Sequence, residues 1–176
     1  MANSPSLLAL TLLHSVHRAA QRPFPMIIFR MKDEKWGEKM FKCNTRIQVR
    51  YGETDQMGVA HHGAMVNWLE AARVDWCRKI GVPYREVEAA GFNMAVAELK
   101  IRYLLPILFD EEISIETLAE KFGSRLVRFR YRVFNSRNAL AAEGITRHLV
   151  VGNDLKRASL SPELMARFKA GMSSDA

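Results

Sequence analysis

The chain has very little cysteine. Cys43 and Cys77 are the two thiols among 176 residues. Neither stands in a zinc-binding spacing, and two thiols do not frame a disulfide scaffold. A reducing compartment is therefore expected, which suggests the cytoplasm. Long apolar runs are also missing: no stretch approaches the roughly 18 residues that a membrane span requires. Internal repeats and low-complexity segments are absent. The first forty residues lack acid until Asp33, yet carry Arg18, Arg22 and Arg30. The short apolar stretch 7–13 has no basic segment ahead of it, which argues against a secretory leader. Residues 1–40 read as a weakly structured extension. A folded domain is expected over 41–160, followed by a short C-terminal helix and tail over 161–176.

What is present supports a real core. Hydrophobic residues make up 48% of the chain, and the net charge is +7. The excess of base favours anionic partners such as nucleic acid, a membrane surface or a phosphate-bearing small molecule. The basic residues are spread rather than massed, as general solubility also demands. No helix-turn-helix, zinc or stacking-aromatic motif accompanies them, so specific nucleic-acid binding is not expected.

Hydrophobic spacing orders the domain. In residues 45–51 Ile47, Val49 and Tyr51 alternate with Arg46, Gln48 and Arg50, a strand period. From about Ala64 to Ile80 the period becomes helical: Met65, Trp68, Leu69, Ala72, Trp76 and Ile80 share one arc. Gly81 and Pro83 stop that helix, and residues 84–91 can add a short helical turn. Four more alternating runs follow. The first sets Ala95, Ala97, Leu99, Ile101 and Tyr103 against Val96, Glu98, Lys100 and Arg102. The second covers about 112–121. The third sets Val127, Phe129, Tyr131 and Val133 against Arg128, Arg130 and Arg132, and the fourth covers about 140–151. Ser161 and Pro162 start a last helix as cap and first residue. Short turns between sequential strands imply an antiparallel sheet with one buried face, covered by the single long helix: an α+β domain.

One segment has a composition that cores rarely need. Residues 51–73 read YGETDQMGVAHHGAMVNWLEAAR. An acid, two turn glycines and a histidine pair stand directly ahead of the long helix. Gln48-Val49, Thr54-Asp55, Gly58-Val59, His61-His62 and Glu70 with Ala72-Arg73 resemble the 4-hydroxybenzoyl-CoA thioesterase family, in its bacterial acyl-CoA thioesterase branch. Pro106 with Asp110-Glu111 also suits it. The likeness covers about residues 45–155. It implies the hotdog fold, a long central helix wrapped by a five-stranded antiparallel sheet. It also implies hydrolysis of an acyl-CoA without cofactor or metal, in a homo-oligomer, dimer or tetramer, whose sites form between subunits. Met65 and Leu69 stand where relatives often carry aromatics, Ala60 where Val is usual and His61 where Tyr is common. These departures bear on the acyl group rather than the reaction.

Thioester hydrolysis needs a carboxylate that activates water or attacks the carbonyl itself. It also needs donors for the charge that grows on the carbonyl oxygen. Asp55 is the expected carboxylate, and the N–H groups that open the helix are the expected donors. His62, seven residues after Asp55, is expected to orient the acid or to offer its backbone N–H. The bland reading of Asp55 is an Asx turn. Gly58, Val59, His61, Gly63 and Met65 are expected around the substrate, with the two glycines chosen for backbone angles that other residues resist. Glu70 is a second carboxylate near that site, with an ion pair to Arg73 as its plainer role. Arg128 and Arg130 could meet CoA phosphates, although any half-exposed strand carries such charges. A non-catalytic hotdog module that binds acyl-CoA or acyl carrier protein is the alternative. Binding without turnover would distinguish it.

Overall fold

The computed structural model describes residues 41–173, so the expected extension 1–40 lies outside the described residues. Five strands form one antiparallel sheet: β1 (Lys42–Gln48), β2 (Phe92–Tyr103), β3 (Glu112–Phe122), β4 (Leu126–Phe134) and β5 (Leu140–Gly152). Their spatial order is β1-β3-β4-β5-β2. Helix α1 (Ala64–Lys79) lies between β1 and β2 in the chain; α2 (Tyr84–Ala89) follows it, and α3 (Pro162–Ser173) closes the described chain. This is the hotdog arrangement, with the sheet laid around α1.

The pattern of β4 explains how the two layers meet. Val127, Phe129, Tyr131 and Val133 are wholly buried. Phe129 meets the Trp76 ring of α1 edge-on at 5.2 Å. Met65, Trp68, Leu69, Ala72 and Trp76 form the buried arc of α1. Each of the large side chains in this set contributes on the order of 1.5–3 kcal/mol through water exclusion, and Ala72 less. Helix α3 covers the far end, where the Phe168 and Phe122 rings lie 4.4 Å apart. Ser161 caps it, its Oγ accepting from the Leu164 amide at 3.2 Å.

Two details depart from simple alternation. β1 starts three residues earlier than residues 45–51 suggest and ends at Gln48. Tyr51 does not face inward: it sits in a 3-10 turn over Tyr51–Glu53 and is 79% exposed. The turn carries Glu53 inward instead, and the Tyr51 ring packs edge-on against Phe109 at 5.6 Å. In β2, a bulge between Val96 and Glu98 shifts the register. Met94 and Val96 pair with the inward residues Val150 and His148, whereas beyond the bulge Leu99, Ile101 and Tyr103 pair with Thr146, Gly144 and Ala142. The inward set thus changes parity at the bulge, and Ala95 faces outward. One extra residue does this because side chains alternate with period two.

Candidate active site

The loop between β1 and α1 is tied to the β2–β3 connection by backbone bonds. The Val49 amide donates to the Glu111 carbonyl at 2.9 Å, the Asp110 amide to Val49 at 3.1 Å, and the Ala60 amide to Ile107 at 2.7 Å. Glu53 locks the loop to the helix. Its carboxylate is 8% exposed. It accepts from the Arg50 amide at 2.8 Å, the Arg50 guanidinium at 2.6 Å and the Trp68 indole N–H at 3.0 Å. Burial alone would raise this carboxyl, but the donors from Arg50 and Trp68 outweigh burial and hold it below its ordinary value. Sequence reasoning passed over Glu53, because an acid in a loop looks like surface. The one available signal was the Trp68 position on the helix arc, whose buried N–H requires an acceptor. Glu53→Ala should lower stability by about 2 kcal/mol, since it strands a buried indole N–H and an amide. Urea unfolding of the two proteins checks this.

Asp55 is half-buried. Its backbone N–H donates to the Val59 carbonyl at 3.0 Å, and its carbonyl accepts from the Gly58 amide at 2.9 Å. Its Oδ1 accepts from the Met57 amide at 2.8 Å. The Asx turn is therefore present. It does not consume the acid, because Oδ2 has no hydrogen-bond partner among the described residues. The turn fixes one oxygen and leaves the other unengaged. Gly58 occupies the left-handed region at φ +75°, where a side chain would be strained. Gly63 does not: its φ of −68° is ordinary helix. The expectation of special angles there is corrected. A Cβ at Gly63 would come within 3.1 Å of His61 Nδ1, so close approach is what calls for glycine.

The helix start is almost fully spoken for. The His61 amide donates to the Glu53 carbonyl at 2.7 Å, and the Ala64 amide donates to the His61 carbonyl at 2.9 Å. The Gly63 amide donates to His61 Nδ1 at 3.0 Å. The His62 amide, by contrast, has no acceptor among the described residues. Over residues 60–66 the amides without an acceptor are thus two, that of His62, one residue ahead of the cap Gly63, and that of the buried Met65 in the first turn. The His62 carbonyl accepts from Tyr103 Oη at 2.7 Å, a second residue that sequence reasoning missed. Nothing in the alternation of β2 marks Tyr103 as a partner of residue 62. The His61 and His62 rings lie 4.0 Å apart, both side chains exposed.

The remaining expected residues divide. Val59 sits beside Asp55 and bridges to Leu108. Met65 is in the core, 4% exposed. Glu70 is 65% exposed and lies 3.9 Å from the Arg73 guanidinium. It lines an open groove of about 1030 Å³ between β1 and α1, together with Thr45, Arg46, Asp75 and Lys79. Asp55 does not line that groove. Arg128 and Arg130 lie on the sheet face opposite α1, where both pair with Glu120, at 2.8 and 2.6 Å. One loop thus carries Asp55 with its bonded neighbours Gly58 and Val59, and then His61, His62 and Gly63 at the approach to α1, while Glu70 lies in the groove and Arg128 and Arg130 on the opposite sheet face. Among the described residues no group of three His, Cys, Asp or Glu side chains converges as metal ligands would.

Residues 49–168 match the model of the thioesterase-like superfamily. A Bacillus subtilis protein, YneP, named provisionally as an acyl-CoA thioesterase, is 28% identical over 115 residues, covering 65% of this chain and 83% of its own. A DHNA-CoA thioesterase from Staphylococcus aureus superposes with a TM-score of 0.70 at 30% identity, over 73% of this chain and 89% of that one. A hypothetical protein from Thermus thermophilus superposes with a TM-score of 0.69 at 40% identity, over 73% and 96%.

Proposed function

This chain belongs to the thioesterase-like superfamily, and on that premise we propose that it hydrolyses an acyl-CoA to the free acid and CoA, with Asp55 and the His62 amide as its working parts. The observation that carries the reading is their state. Asp55 keeps one unengaged carboxylate oxygen on a fixed turn, and the His62 N–H, one residue ahead of the helix cap Gly63, has no acceptor among the described residues. A thioester carbonyl oxygen on that amide meets a backbone donor close to the positive end of the helix. Water attacks the carbonyl carbon while Asp55 takes its proton. The carbon–sulfur bond then breaks, and the proton passes to the departing thiolate. If Asp55 instead attacks directly, the carbon–sulfur bond breaks as a mixed anhydride forms; water then opens the anhydride, and its proton goes to the released thiolate. Single turnovers in heavy-oxygen water distinguish the two, because only the second route can leave the label in the Asp55 carboxylate.

The site is completed in a homodimer. β2 is an edge strand of the sheet. Val96, Leu99 and Tyr103, inward in register, are 55%, 37% and 51% exposed because α1 does not reach over them. A free edge next to uncovered apolar side chains is a pairing surface. A two-fold axis there runs the two β2 strands antiparallel. That also explains why Asp55 lies outside the open groove of the single chain: its cleft needs a second copy. The deciding experiment is a panel of acyl-CoA thioesters with free thiol read out, beside a measurement of solution mass. Turnover at twice the chain mass of 20.1 kDa is expected. Saturable binding with no thiol released on any substrate would make the protein a binding module, and an active monomer would remove the dimer.

A further inference from the structure

Tyr103 is half-exposed at 51%, yet its hydroxyl is spent on a backbone carbonyl 41 residues away. Its Oη donates to the His62 carbonyl at 2.7 Å. The same peptide unit is held at its other end, where the Gly63 N–H donates to His61 Nδ1 at 3.0 Å. One peptide plane is therefore clamped from both sides, by a side chain from β2 and by a side chain from the loop. The next plane toward the N-terminus carries the free His62 N–H. Its own carbonyl, that of His61, accepts from the Ala64 amide at 2.9 Å. Turning the clamped plane would turn the free N–H away from its present line, because the two planes share the His62 Cα.

In the single chain this hydroxyl is within reach of water, so folding of the subunit does not require the bond. Burial raises the Tyr103 hydroxyl above its ordinary value, which keeps it a donor throughout the neutral range. His61 Nδ1 must be unprotonated to accept from Gly63, which assigns the ring proton to Nε2.

We propose that Tyr103 and His61 are positioning residues: together they clamp the peptide between His62 and Gly63 and thereby aim the His62 amide at the thioester carbonyl. This inference rests on the thioesterase reading above. It adds a consequence for assembly. Tyr103 lies on the strand assigned to the dimer edge, so strand β2 links subunit pairing to the placement of the polarising donor. A donor that acts only on developing charge lowers the barrier without tightening the ground-state complex.

The test compares wild type, Tyr103→Phe, His61→Ala and His61→Asn on one acyl-CoA that the wild type turns over. Tyr103→Phe should lower kcat about tenfold, with KM, thermal midpoint and solution mass within error of wild type. His61→Ala should show the same split. His61→Asn, which returns an acceptor near the Nδ1 position, should recover most of that loss. The double variant Tyr103→Phe/His61→Ala should lose little more than either single variant, because both hold one plane. A kcat within twofold of wild type in Tyr103→Phe overturns the proposal. So does a loss of kcat that comes with a lowered midpoint or a halved mass, which would make Tyr103 merely structural. If the wild type releases no thiol from any substrate, the thioesterase reading itself has failed, an outcome distinct from both.

Discussion

Asp55→Asn will lower kcat by at least about 100-fold, the ordinary size of a lost acid–base or nucleophilic contribution. The substitution is close to isosteric. The Asn Oδ1 can still accept from the Met57 amide, the bond that now holds Asp55 Oδ1 at 2.8 Å. The turn is retained, and so is the loop bonding from Asp55 to Val59 and Gly58, which uses backbone atoms alone. What disappears is an oxygen able to take a proton from water or to attack carbon. Thermal midpoint and solution mass should therefore match wild type while thiol release collapses. Comparable turnover by the two proteins would remove Asp55 from the reaction. Tyr103→Phe should cost less, because it misdirects a donor without deleting it.

Acid should weaken the fold before it reaches the carboxylates. A polar chain crosses the core beneath α1. Tyr131 Oη and Thr146 Oγ1 are 3.0 Å apart, and Thr146 Oγ1 lies 2.8 Å from His148 Nε2. Arg73 stands 3.4 Å from that same nitrogen, and His148 Nδ1 lies 3.3 Å from the Met94 carbonyl. The consistent assignment has Nδ1–H donating to Met94, with Nε2 accepting from Thr146. A proton on Nε2 would place a second cation against Arg73 and leave Thr146 without its acceptor. Burial first, and the Arg73 charge second, push His148 from 6.5 down to about 4. Its folded value is depressed, so the unfolded chain binds the proton first as pH falls. The stabilisation is complete above 6.5 and is lost progressively down to about 4, amounting to about 3 kcal/mol. The held-down carboxylates Glu53 and Asp75 lose their contributions only below their ordinary values of 4.5 and 3.8. Urea midpoints at pH 7, 6, 5 and 4.5 should fall steadily, and His148→Gln should flatten that slope from a lower start. A wild-type midpoint constant from pH 7 to 4.5 would contradict the assignment.

Much of this architecture is legible from spacing. The ten residues around Phe129 and Tyr131 alternate so strictly that β4 follows from the pattern alone, and the wide arc of α1 needs the sheet face that β4 presents. Ser161 and Pro162 mark the start of α3 without any tertiary information. The loop from Tyr51 to Gly63 also announces itself, because an acid, turn glycines and paired histidines ahead of an apolar arc have no place in a core. Tyr51 shows where such reading stops. Alternation assigns it inward, but the chain enters a 3-10 turn there and carries Glu53 inward instead, between Arg50 and Trp68. The bulge in β2 is equally silent in the pattern, since an extra residue changes parity without changing composition.

Element type, the order of layers and the unusual composition of the loop that carries Asp55 were thus contained in the sequence, because each depends on period or on local composition. That the His62 amide has no acceptor among the described residues, that Tyr103 holds the His62 carbonyl, and which face of β2 lies uncovered were decided only when the chain closed on itself. Those features depend on hydrogen bonds and register between residues dozens of positions apart, and such pairings leave no local trace.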